Sequence, residues 1–327
     1  MIALGIESTA HTFGVATVDE RGNILSNSRD MFKPELGKGF TPYELAEHHY
    51  GISGEILDKS LKEANITWDS IDVVAFSQGM GIPNSLKVGA ALARYLSLKY
   101  SKPLIGVNHG IAHIEIGKLK TGSSDPVIVY LSGGNSQILA YVSGRYRVFG
   151  ETQDIPVGNA LDVLARELGL PMPGGPEIEK IAKNGGFTDL PYVVKGMDMS
   201  FTGIMTAAIE KFKEGVRKED IAYSMQEVCF SMLTEVTERA LAHTNKKEVL
   251  LVGGVAANKR LQEMMKVMCE ERGANFYVVP QEYAGDNGSN IAWAGILVYN
   301  SNGKLSVEDS RVKQNWRTED VEITWLK

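Results

Sequence analysis

The chain opens with alternating apolar and small polar residues, a pattern typical of β-structure. Two such runs flank a turn rich in Asp and Gly and predict a β-hairpin over Met1–Leu25. Apolar residues then recur at helical spacing from Thr41 to Ala64. Short apolar runs and amphipathic stretches follow in alternation. They predict strands at Ile71–Phe76 and Pro103–Asn108 and helices at Leu86–Tyr100 and 108–120.

The second part of the chain repeats this pattern. Residues 126–149 again predict a strand, a small-polar turn, a strand, a glycine turn and a further strand, as at the opening. Residues 247–268 repeat the apolar strand, glycine-containing loop and amphipathic helix of residues 71–96. The two openings lie roughly 125 residues apart, which is too long for a solenoid repeat and suits a duplicated domain.

We therefore predict an α/β, two-lobed, internally duplicated actin-like ATPase (ASKHA) fold with an interlobe cleft. The N-terminal lobe is predicted over residues 1–125 and the C-terminal lobe over residues 126–327, with a linker at Thr121–Pro126. The last apolar helix is a candidate to pack on the first lobe. Actin, sugar kinases and heat-shock ATPases share this plan, and ligands usually bind in clefts between lobes.

Composition and charge narrow the class of protein. The 327 residues are 43% hydrophobic and 23% charged, which is ordinary for a globular chain. No apolar run approaches the roughly 20 residues that a membrane span requires. Two cysteines in helix-like stretches and no signal peptide predict a reducing, cytoplasmic setting. The net charge of −6 argues against a stand-alone nucleic-acid binder, so a nucleic-acid substrate would require a local basic face or partner proteins.

Two histidines give the strongest chemical signal. His109 and His113 are four residues apart on a predicted helix, so both imidazoles can reach one metal ion. Half-buried or capping histidines would give the same spacing. The zinc-protease signature requires a glutamate directly after the first histidine, and Gly110 stands there. Asp286, in a glycine-rich loop before the last helix, is either a helix N-cap or the third ligand of an open iron or zinc site.

Glycine-rich turns follow predicted strands in both lobes. They occur at Tyr130–Asn135, Met172–Pro176 and Val252–Asn258, with a further small-residue turn at Gly5–Thr9. Glycine lets backbone N–H groups approach phosphate oxygens, although Gly-Gly pairs also mark tight turns. None of these turns is a Walker loop or a Rossmann fingerprint. Together they predict a nucleotide-binding cleft.

Several polar residues have two interpretations. Asp162, Glu177 and Glu179 lie near predicted helix starts, where the helix dipole favours carboxylates whether or not they bind a ligand. Their closeness in sequence to the glycine turns also suits sugar or phosphate recognition. His48 and His49 are predicted on the polar surface of a helix rather than at a metal site.

A set of short motifs, spread over nearly the whole chain, resembles the TsaD family. The motifs are Gly5–His11, Ser77–Gly79, Gly106–His113, Tyr130–Asn135, Gly158–Asp162, Gly253–Asn258 and Asp286–Gly288. Val148–Thr152 and Val321–Trp325 are similar to the archaeal and eukaryotic branch of this family. In that branch the protein is the catalytic subunit of the KEOPS complex, which acts in tRNA threonylcarbamoyladenosine biosynthesis.

The resemblance implies an actin-like fold with one metal ion in the cleft, Fe(II) or Zn(II). It implies four metal ligands, which are His109, His113, Tyr130 and Asp286. It also implies that the donor substrate is threonylcarbamoyl-adenylate, made by a separate synthase, and that ATP or AMP can occupy the same cleft. The implied donor contacts are Tyr130, Leu131, Ser132, Gly133, Gly134, Asp162, Gly175, Glu179 and Asn258.

The reaction implied by the resemblance is an acyl transfer. The metal would polarise the threonylcarbamoyl carbonyl as a Lewis acid. The exocyclic amine of the adenosine 3′ of the anticodon, in tRNAs reading codons that begin with A, would attack this carbon and release AMP. Glu7, in the first-lobe turn, is a candidate proton acceptor and hence a candidate catalytic residue. A kinase-like ATPase and small accessory subunits of KEOPS are the implied partners, and they would help to hold the tRNA.

Two other functions remain open on the same fold. A phosphotransferase of the sugar-kinase or acetate-kinase type would transfer phosphate to a small acceptor and would not require His109 or His113. A nucleotide-dependent scaffold would use the cleft only to change conformation. The histidine pair with Asp286 disfavours both, because magnesium in such sites does not require nitrogen ligands. A metalloprotease is disfavoured by Gly110.

Overall fold

The computed structural model describes residues 1–33 and 41–326, and within these ranges it contains two five-stranded sheets with helices around them. The strands are β1 (Ile2–Glu7), β2 (Thr12–Asp19), β3 (Ile24–Met31), β4 (Val73–Gly79), β5 (Leu104–Asn108), β6 (Val127–Leu131), β7 (Ser136–Val142), β8 (Arg145–Glu151), β9 (Val194–Lys195), β10 (Asp198–Met199), β11 (Glu248–Val252) and β12 (Asn275–Val278). The α-helices are α1 (Pro42–Ala64), α2 (Pro83–Tyr100), α3 (His109–Thr121), α4 (Val157–Glu167), α5 (Gly174–Ala182), α6 (Thr202–Lys213), α7 (Lys218–Thr244), α8 (Lys259–Glu271), α9 (Gln281–Ala284) and α10 (Gly288–Asn302).

The two large sheets have the same topology. The first has the order β3-β2-β1-β4-β5 and the second the order β8-β7-β6-β11-β12. In each sheet the three strands that come first in the chain pair antiparallel with one another. The two later strands run parallel to the central strand, which is β1 in the first sheet and β6 in the second. The predicted α/β duplication with an actin-like plan is therefore confirmed. The lobe boundary near residue 125 stays a prediction.

The central strands are buried on both faces, which explains their almost continuous apolar sequence. Every residue of β4 and β6 is buried, and so is nearly all of β1 and β11. The carboxyl ends of β1 and β6 carry the small-residue turns that the sequence singled out. Ligand-binding turns in open α/β sheets lie at these strand ends, because the backbone there leaves the sheet.

Helix α3 leads directly from the edge strand β5 into the interior. The Asn108 side chain accepts a hydrogen bond from the N–H of Ile111 at 3.1 Å and so caps the helix at its N-terminus. Residues 109–117 are all buried, and Gly122 ends the helix in the left-handed conformation. A helix buried around its whole circumference holds its side chains in fixed positions, which suits a helix that carries two metal-ligand candidates.

Helix α10 belongs to the second half of the sequence but packs on the first sheet. A Cβ added to Gly5 would lie 2.3 Å from the backbone nitrogen of Ala292 and 2.3 Å from the backbone oxygen of Gly288. A Cβ added to Gly288 would lie 2.5 Å from the nitrogen of Ala16. The backbones of β1 and α10 approach so closely that there is no room for a Cβ at Gly5 or at Gly288, so both positions require glycine. The apolar residues of this contact include Ala3, Val18, Val73, Ala75, Val107, Ile291, Ala292, Ala294 and Ile296.

The segment after α10 runs from the first lobe to the second. Leu305 pairs with the edge of β5 near its start. Further along, the Asn108 side-chain amide donates to the carbonyl of Trp316 at 3.0 Å, directly beside the N-terminus of α3. Near the end, the N–H of Ile323 donates to the carbonyl of Gly144 in the turn between β7 and β8 at 2.8 Å. This segment therefore contacts both lobes and the helix between them.

Within the described residues, no helix has the combination of length and apolarity that crossing a bilayer requires.

The surface position predicted for His48 and His49 is wrong for His49. His49 is fully buried because α1 packs across β2 and β3 and turns this side chain inward. Its Nε2 donates to the carbonyl of Ala10 at 2.9 Å, and its ring centroid lies 5.5 Å from that of Phe13. His48 is half-buried and pairs with Asp30 at 3.1 Å.

The burial of His49 gives a pH-dependent stability. Burial lowers the pKa of His49 from its ordinary 6.5 to about 4, against the opposing effect of its hydrogen bond to Ala10. The unfolded chain therefore takes up a proton at a higher pH than the folded protein does. The stability contribution is complete above pH 6.5 and is lost as the pH falls toward 4, by about 3 kcal/mol in total.

This stability change is tested with His49→Gln, which keeps an amide donor but does not titrate. The free energy of unfolding of the metal-free parent and variant is measured in urea at pH 7 and at pH 4. Between these two pH values it is expected to fall by about 3 kcal/mol more in the parent than in the variant. If the free energy of unfolding fell equally with pH in the two proteins, the assignment of a neutral, buried His49 would be contradicted.

Candidate metal centre and nucleotide cleft

Three donor atoms from two elements meet in one place. His109 and His113 project from the first turns of α3, and Asp286 lies two residues before α10. The Nε2 atoms of the two histidines are 3.2 Å apart. The Oδ1 atom of Asp286 lies 3.2 Å from Nε2 of His113 and 3.4 Å from Nε2 of His109. The structure thus brings together the two histidines and the carboxylate that the sequence predicted as ligands.

The size of this triangle fits a single transition-metal ion. Metal–ligand distances of about 2.0–2.1 Å in a tetrahedral site place neighbouring ligand atoms about 3.3 Å apart. The three separations of 3.2, 3.2 and 3.4 Å match this value. Two imidazole nitrogens and one carboxylate oxygen are a donor set typical of iron or zinc, and three protein ligands leave a position for a further ligand.

The surrounding charges favour a cation at this point. Glu7 is fully buried, and its Oε2 lies 3.0 Å from Nδ1 of His109. Burial disfavours charge on His109, yet the carboxylates of Glu7 and Asp286 raise its pKa well above the ordinary value. Burial by itself would raise the pKa of Asp286. The neighbouring His109 has the larger effect, and the pKa of Asp286 therefore lies well below its usual range. Two carboxylates beside two imidazoles suit a divalent ion, which supplies two positive charges at the same place.

Tyr130 lies at the end of β6 with its side chain fully buried. Its ring centroid is 5.4 Å from that of His113, and its hydroxyl accepts a hydrogen bond from the Asn135 side chain at 3.4 Å. Burial raises the pKa of its phenol. Tyr130 thus lies beside the three donors, and its role as a fourth ligand stays a prediction.

The glycine turn after β6 faces open space. Leu131 is buried at the end of the strand, and the hydroxyl of Ser132 accepts from the N–H groups of Gly134 and Asn135 at 3.2 and 3.0 Å. A Cβ added to Gly133 or Gly134 would meet no atom within 4 Å, and neither glycine has a positive φ. Neither packing nor backbone conformation therefore requires glycine here. Close approach of a ligand to the backbone would explain it.

Gly175 is open in the same way, at the start of α5. The adjacent Gly174 is held by Asp162, whose Oδ1 accepts from its N–H at 2.7 Å. Burial raises the pKa of Asp162, and the N–H groups of Gly174 and Gly175 oppose this shift. Asp162 therefore fixes the turn that presents Gly175, and its predicted contact with the donor substrate stays a prediction.

Glu179 and Asn258 lie together at the start of α8. One oxygen of Glu179 accepts from the N–H of Lys259 at 2.8 Å. Asn258 caps α8 by accepting from the N–H of Leu261 at 3.1 Å, and its amide nitrogen donates to the Gln226 side chain at 2.7 Å. Glu177 pairs only distantly with Lys180, at 3.9 Å. Glu179 in α5 and Asn258 at the start of α8 are thus brought together, and their predicted contacts with a nucleotide stay a prediction.

Sequence reasoning did not single out three residues of this region as separate candidates. His11 is half-buried, and burial lowers the pKa of its imidazole against the opposing effect of the carboxylates of Asp286 and Asp162. Asn290 places its amide nitrogen 3.5 Å from Nδ1 of His113. Gln226 reaches Asn258 from the long helix α7. Asn290 lies in the first turn of α10, shortly after Asp286 in sequence.

A family model described as tRNA N6-adenosine threonylcarbamoyltransferase (TsaD) matches residues 21–293. A Thermococcus kodakarensis protein with the name tRNA N6-adenosine threonylcarbamoyltransferase is 53% identical over 327 residues, covering 99% of this chain and 100% of its own length. A Methanocaldococcus jannaschii protein named as a probable bifunctional tRNA threonylcarbamoyladenosine biosynthesis protein is 54% identical over 330 residues. That alignment covers 100% of this chain, which spans 61% of the length of the bifunctional protein.

Among solved structures, the activator of the 2-hydroxyisocaproyl-CoA dehydratase from Clostridium difficile, with bound ADPNP, aligns with a TM-score of 0.56. The alignment covers 90% of this chain and 94% of the activator at 14% sequence identity. At this identity the likeness concerns the fold alone, and it agrees with the duplicated sheets described above.

Proposed function

The chain belongs to the TsaD family of tRNA N6-adenosine threonylcarbamoyltransferases, and from this premise we propose that it transfers a threonylcarbamoyl group to N6 of an adenosine in tRNA. The observation that carries this proposal is the cluster of His109, His113 and Asp286 beside the open glycine turn at Gly133–Gly134. It combines a metal-ligand set with a backbone surface suited to a nucleotide. A phosphotransferase on the same fold has no use for the two nitrogen ligands.

The donor in this proposal is threonylcarbamoyl-adenylate, bound in the cleft with its nucleotide in the second lobe. His109, His113 and Asp286, with Tyr130 as the fourth candidate, would hold one Fe(II) or Zn(II) ion. When bound, the ion would polarise the carbonyl of the threonylcarbamoyl group as a Lewis acid.

The residues of the chain bind and orient the donor around this point. Gly133 would present its backbone N–H to the phosphate, and the positions of a Cβ at Gly133 and Gly134 have no atom within 4 Å, so the ligand can approach the backbone closely. Asp162 holds the turn at Gly175 in place through the N–H of Gly174. Glu179 and Asn258 meet at the start of α8, where the nucleoside would lie. Attack by N6 on the carbonyl carbon would form the new N–C bond and break the carbonyl–phosphate C–O bond, so that AMP leaves and the proton lost from N6 passes to solvent.

The proposed acceptor is the adenosine 3′ of the anticodon in tRNAs reading codons that begin with A. The net charge of −6 disfavours tight tRNA binding by this chain alone, because affinity for nucleic acid depends mainly on phosphate contacts with cationic groups. We therefore include partners in the proposal, namely the kinase-like ATPase and the small accessory subunits of the KEOPS complex.

A reconstituted transfer assay tests this function. The purified chain, its proposed partners and Fe(II) or Zn(II) are mixed with threonylcarbamoyl-adenylate labelled in the threonine, and label in tRNA and released AMP are both measured. We expect equal amounts of the two products. A matched tRNA with guanosine in place of the target adenosine is expected to take up no label.

Two outcomes would contradict the proposal. Label that enters both tRNAs equally would exclude N6 of the target adenosine as the acceptor. ATP turnover with a small acceptor, in the absence of any label transfer to tRNA, would support the phosphotransferase instead.

A further inference from the structure

Glu7 is the buried partner of one metal-ligand candidate. It ends β1, and its side chain is completely enclosed. One oxygen, Oε2, lies 3.0 Å from Nδ1 of His109. The other oxygen, Oε1, accepts from both the backbone N–H of Thr9 at 2.6 Å and the Thr9 hydroxyl. Both oxygens are therefore occupied by donors, and the carboxylate has a fixed orientation.

The tautomer of His109 follows from this contact. A histidine binds a metal ion as the neutral imidazole, which has one N–H and one lone pair, on opposite nitrogens. A carboxylate without a proton can only accept, so Nδ1 of His109 must carry the hydrogen. The lone pair is then on Nε2, the atom that faces His113 and Asp286 at 3.2 and 3.4 Å.

We propose that Glu7 is a positioning residue, which fixes the orientation and tautomer of His109 so that Nε2 is available to the metal ion. This inference rests on the metal site of the proposed function and differs from the predicted role of Glu7 as proton acceptor, from which the experiment below distinguishes it. Histidines that bind metals commonly donate their second ring N–H to a carboxylate, which orients the ring and strengthens the ligand. Glu7 does so from the end of β1, 102 residues away in sequence from His109 on α3.

Among residues 1–33 and 41–326, no carboxylate has an equivalent contact with Nδ1 of His113. The amide nitrogen of Asn290 is 3.5 Å from its Nδ1, which is longer than a good hydrogen bond, and the amide is neutral. The carboxylate of Glu115, also on α3, points away and accepts from the hydroxyl of Tyr146 at 2.6 Å. The two histidines are therefore held unequally, and Glu7 is expected to have the larger effect on metal affinity.

The substitution Glu7→Gln reverses the tautomer by a defined route. The backbone N–H of Thr9 is a donor and must face the oxygen of the new amide. The amide NH2 then faces Nδ1 of His109, which has to accept, so the proton moves to Nε2. Metal binding must first undo this arrangement. We expect about 10- to 100-fold weaker binding of Zn(II).

The experiment measures Zn(II) affinity of the metal-stripped chain by competition with a chromophoric chelator, without tRNA. Glu115→Gln is the matched control. It makes the same change to a buried carboxylate, but this carboxylate is hydrogen-bonded to Tyr146, which is not a metal-ligand candidate. Its affinity for Zn(II) is expected to equal that of the parent. In the transfer assay, Glu7→Gln is expected to regain activity when the metal concentration exceeds its new dissociation constant.

A proton acceptor would give the opposite result. Unchanged Zn(II) affinity in Glu7→Gln, with turnover lost at every metal concentration, would overturn the positioning role. A parent that binds no Zn(II) would overturn the metal site and this inference together, whereas a metal-binding parent without transfer would affect only the proposed reaction.

The parent also provides a test that does not require the variant to fold. Nitrogen-15 spectra of histidine-labelled, Zn(II)-loaded protein contain six histidines. For His109, assigned by substitution, the hydrogen is expected on Nδ1 and the metal-bound signature on Nε2. The reverse pattern would overturn the proposal.

Discussion

The His109→Ala/His113→Ala variant is expected to lose its transition metal and at least about 1000-fold of its transfer rate. The two imidazoles supply two of the three clustered donor atoms, so a single carboxylate, Asp286, remains with the candidate Tyr130. One carboxylate does not retain iron or zinc against dilution. A Lewis acid stabilises the charge that develops in the transition state by several kcal/mol. Loss of the metal ion therefore corresponds to the expected loss of about 1000-fold in transfer rate.

Metal analysis of the purified proteins checks the first part, and the labelled transfer assay checks the second. About one equivalent of iron or zinc is expected in the parent. His243→Ala, which removes an exposed histidine on α7, serves as the control and should retain both metal and activity. A folded double variant with its full metal content would refute the site, and so would a folded parent that never contains a transition metal.

Gly5→Ala is expected to lower the free energy of unfolding by about 3 kcal/mol or more. The new methyl group would lie 2.3 Å from two backbone atoms of α10, and backbone cannot rotate away as a flexible side chain can. The helix would have to move off the sheet and expose part of the apolar contact between them. Because Asp286 lies directly before α10, metal affinity is expected to fall as well. Denaturant unfolding and Zn(II) competition measure the two effects.

Gly51→Ala is the matched control for this prediction. Gly51 is exposed in the interior of α1, and a Cβ there meets no atom within 4 Å. Alanine at such a site is expected to stabilise the helix by about 0.5–1 kcal/mol. Equal effects of the two substitutions would show that α10 does not approach β1 as closely as described.

The fold could be predicted largely from the periodicity of the sequence. The opening strands, the helix after Thr41 and the repeat at residue 126 depend on local patterns, and the structure confirms them. The path of the segment after residue 302 could not be predicted, because it is held by backbone hydrogen bonds to distant residues such as Gly144. Such contacts leave no periodic signal in the chain.

The candidate site was predictable where its residues are close in sequence. His109 and His113 share a helix, and their spacing alone indicates a common ligand. Nothing local connects Asp286 to them, and its place in the cluster depends on how α10 packs. Glu7 was predicted to be a proton acceptor from its place in the first-lobe turn, whereas the positioning role proposed above depends on the geometry at His109. The burial of His49 was not predicted, because a polar side chain on a helix can be buried when it finds a hydrogen-bond acceptor in the interior. For His49 this acceptor is the backbone carbonyl of Ala10, which is distant in sequence.

The position of α10 has a consequence for the order in which the protein is made. During translation the first sheet leaves the ribosome long before residues 288–302 exist. Until then the apolar surface that includes Ala3, Val73 and Val107 has no covering helix. Domains usually fold in the order of their synthesis, N-terminal part first. Here the earliest part of the nascent chain cannot complete its core until residues 288–302 have been made, so the first sheet finishes folding only after the second sheet has been synthesised.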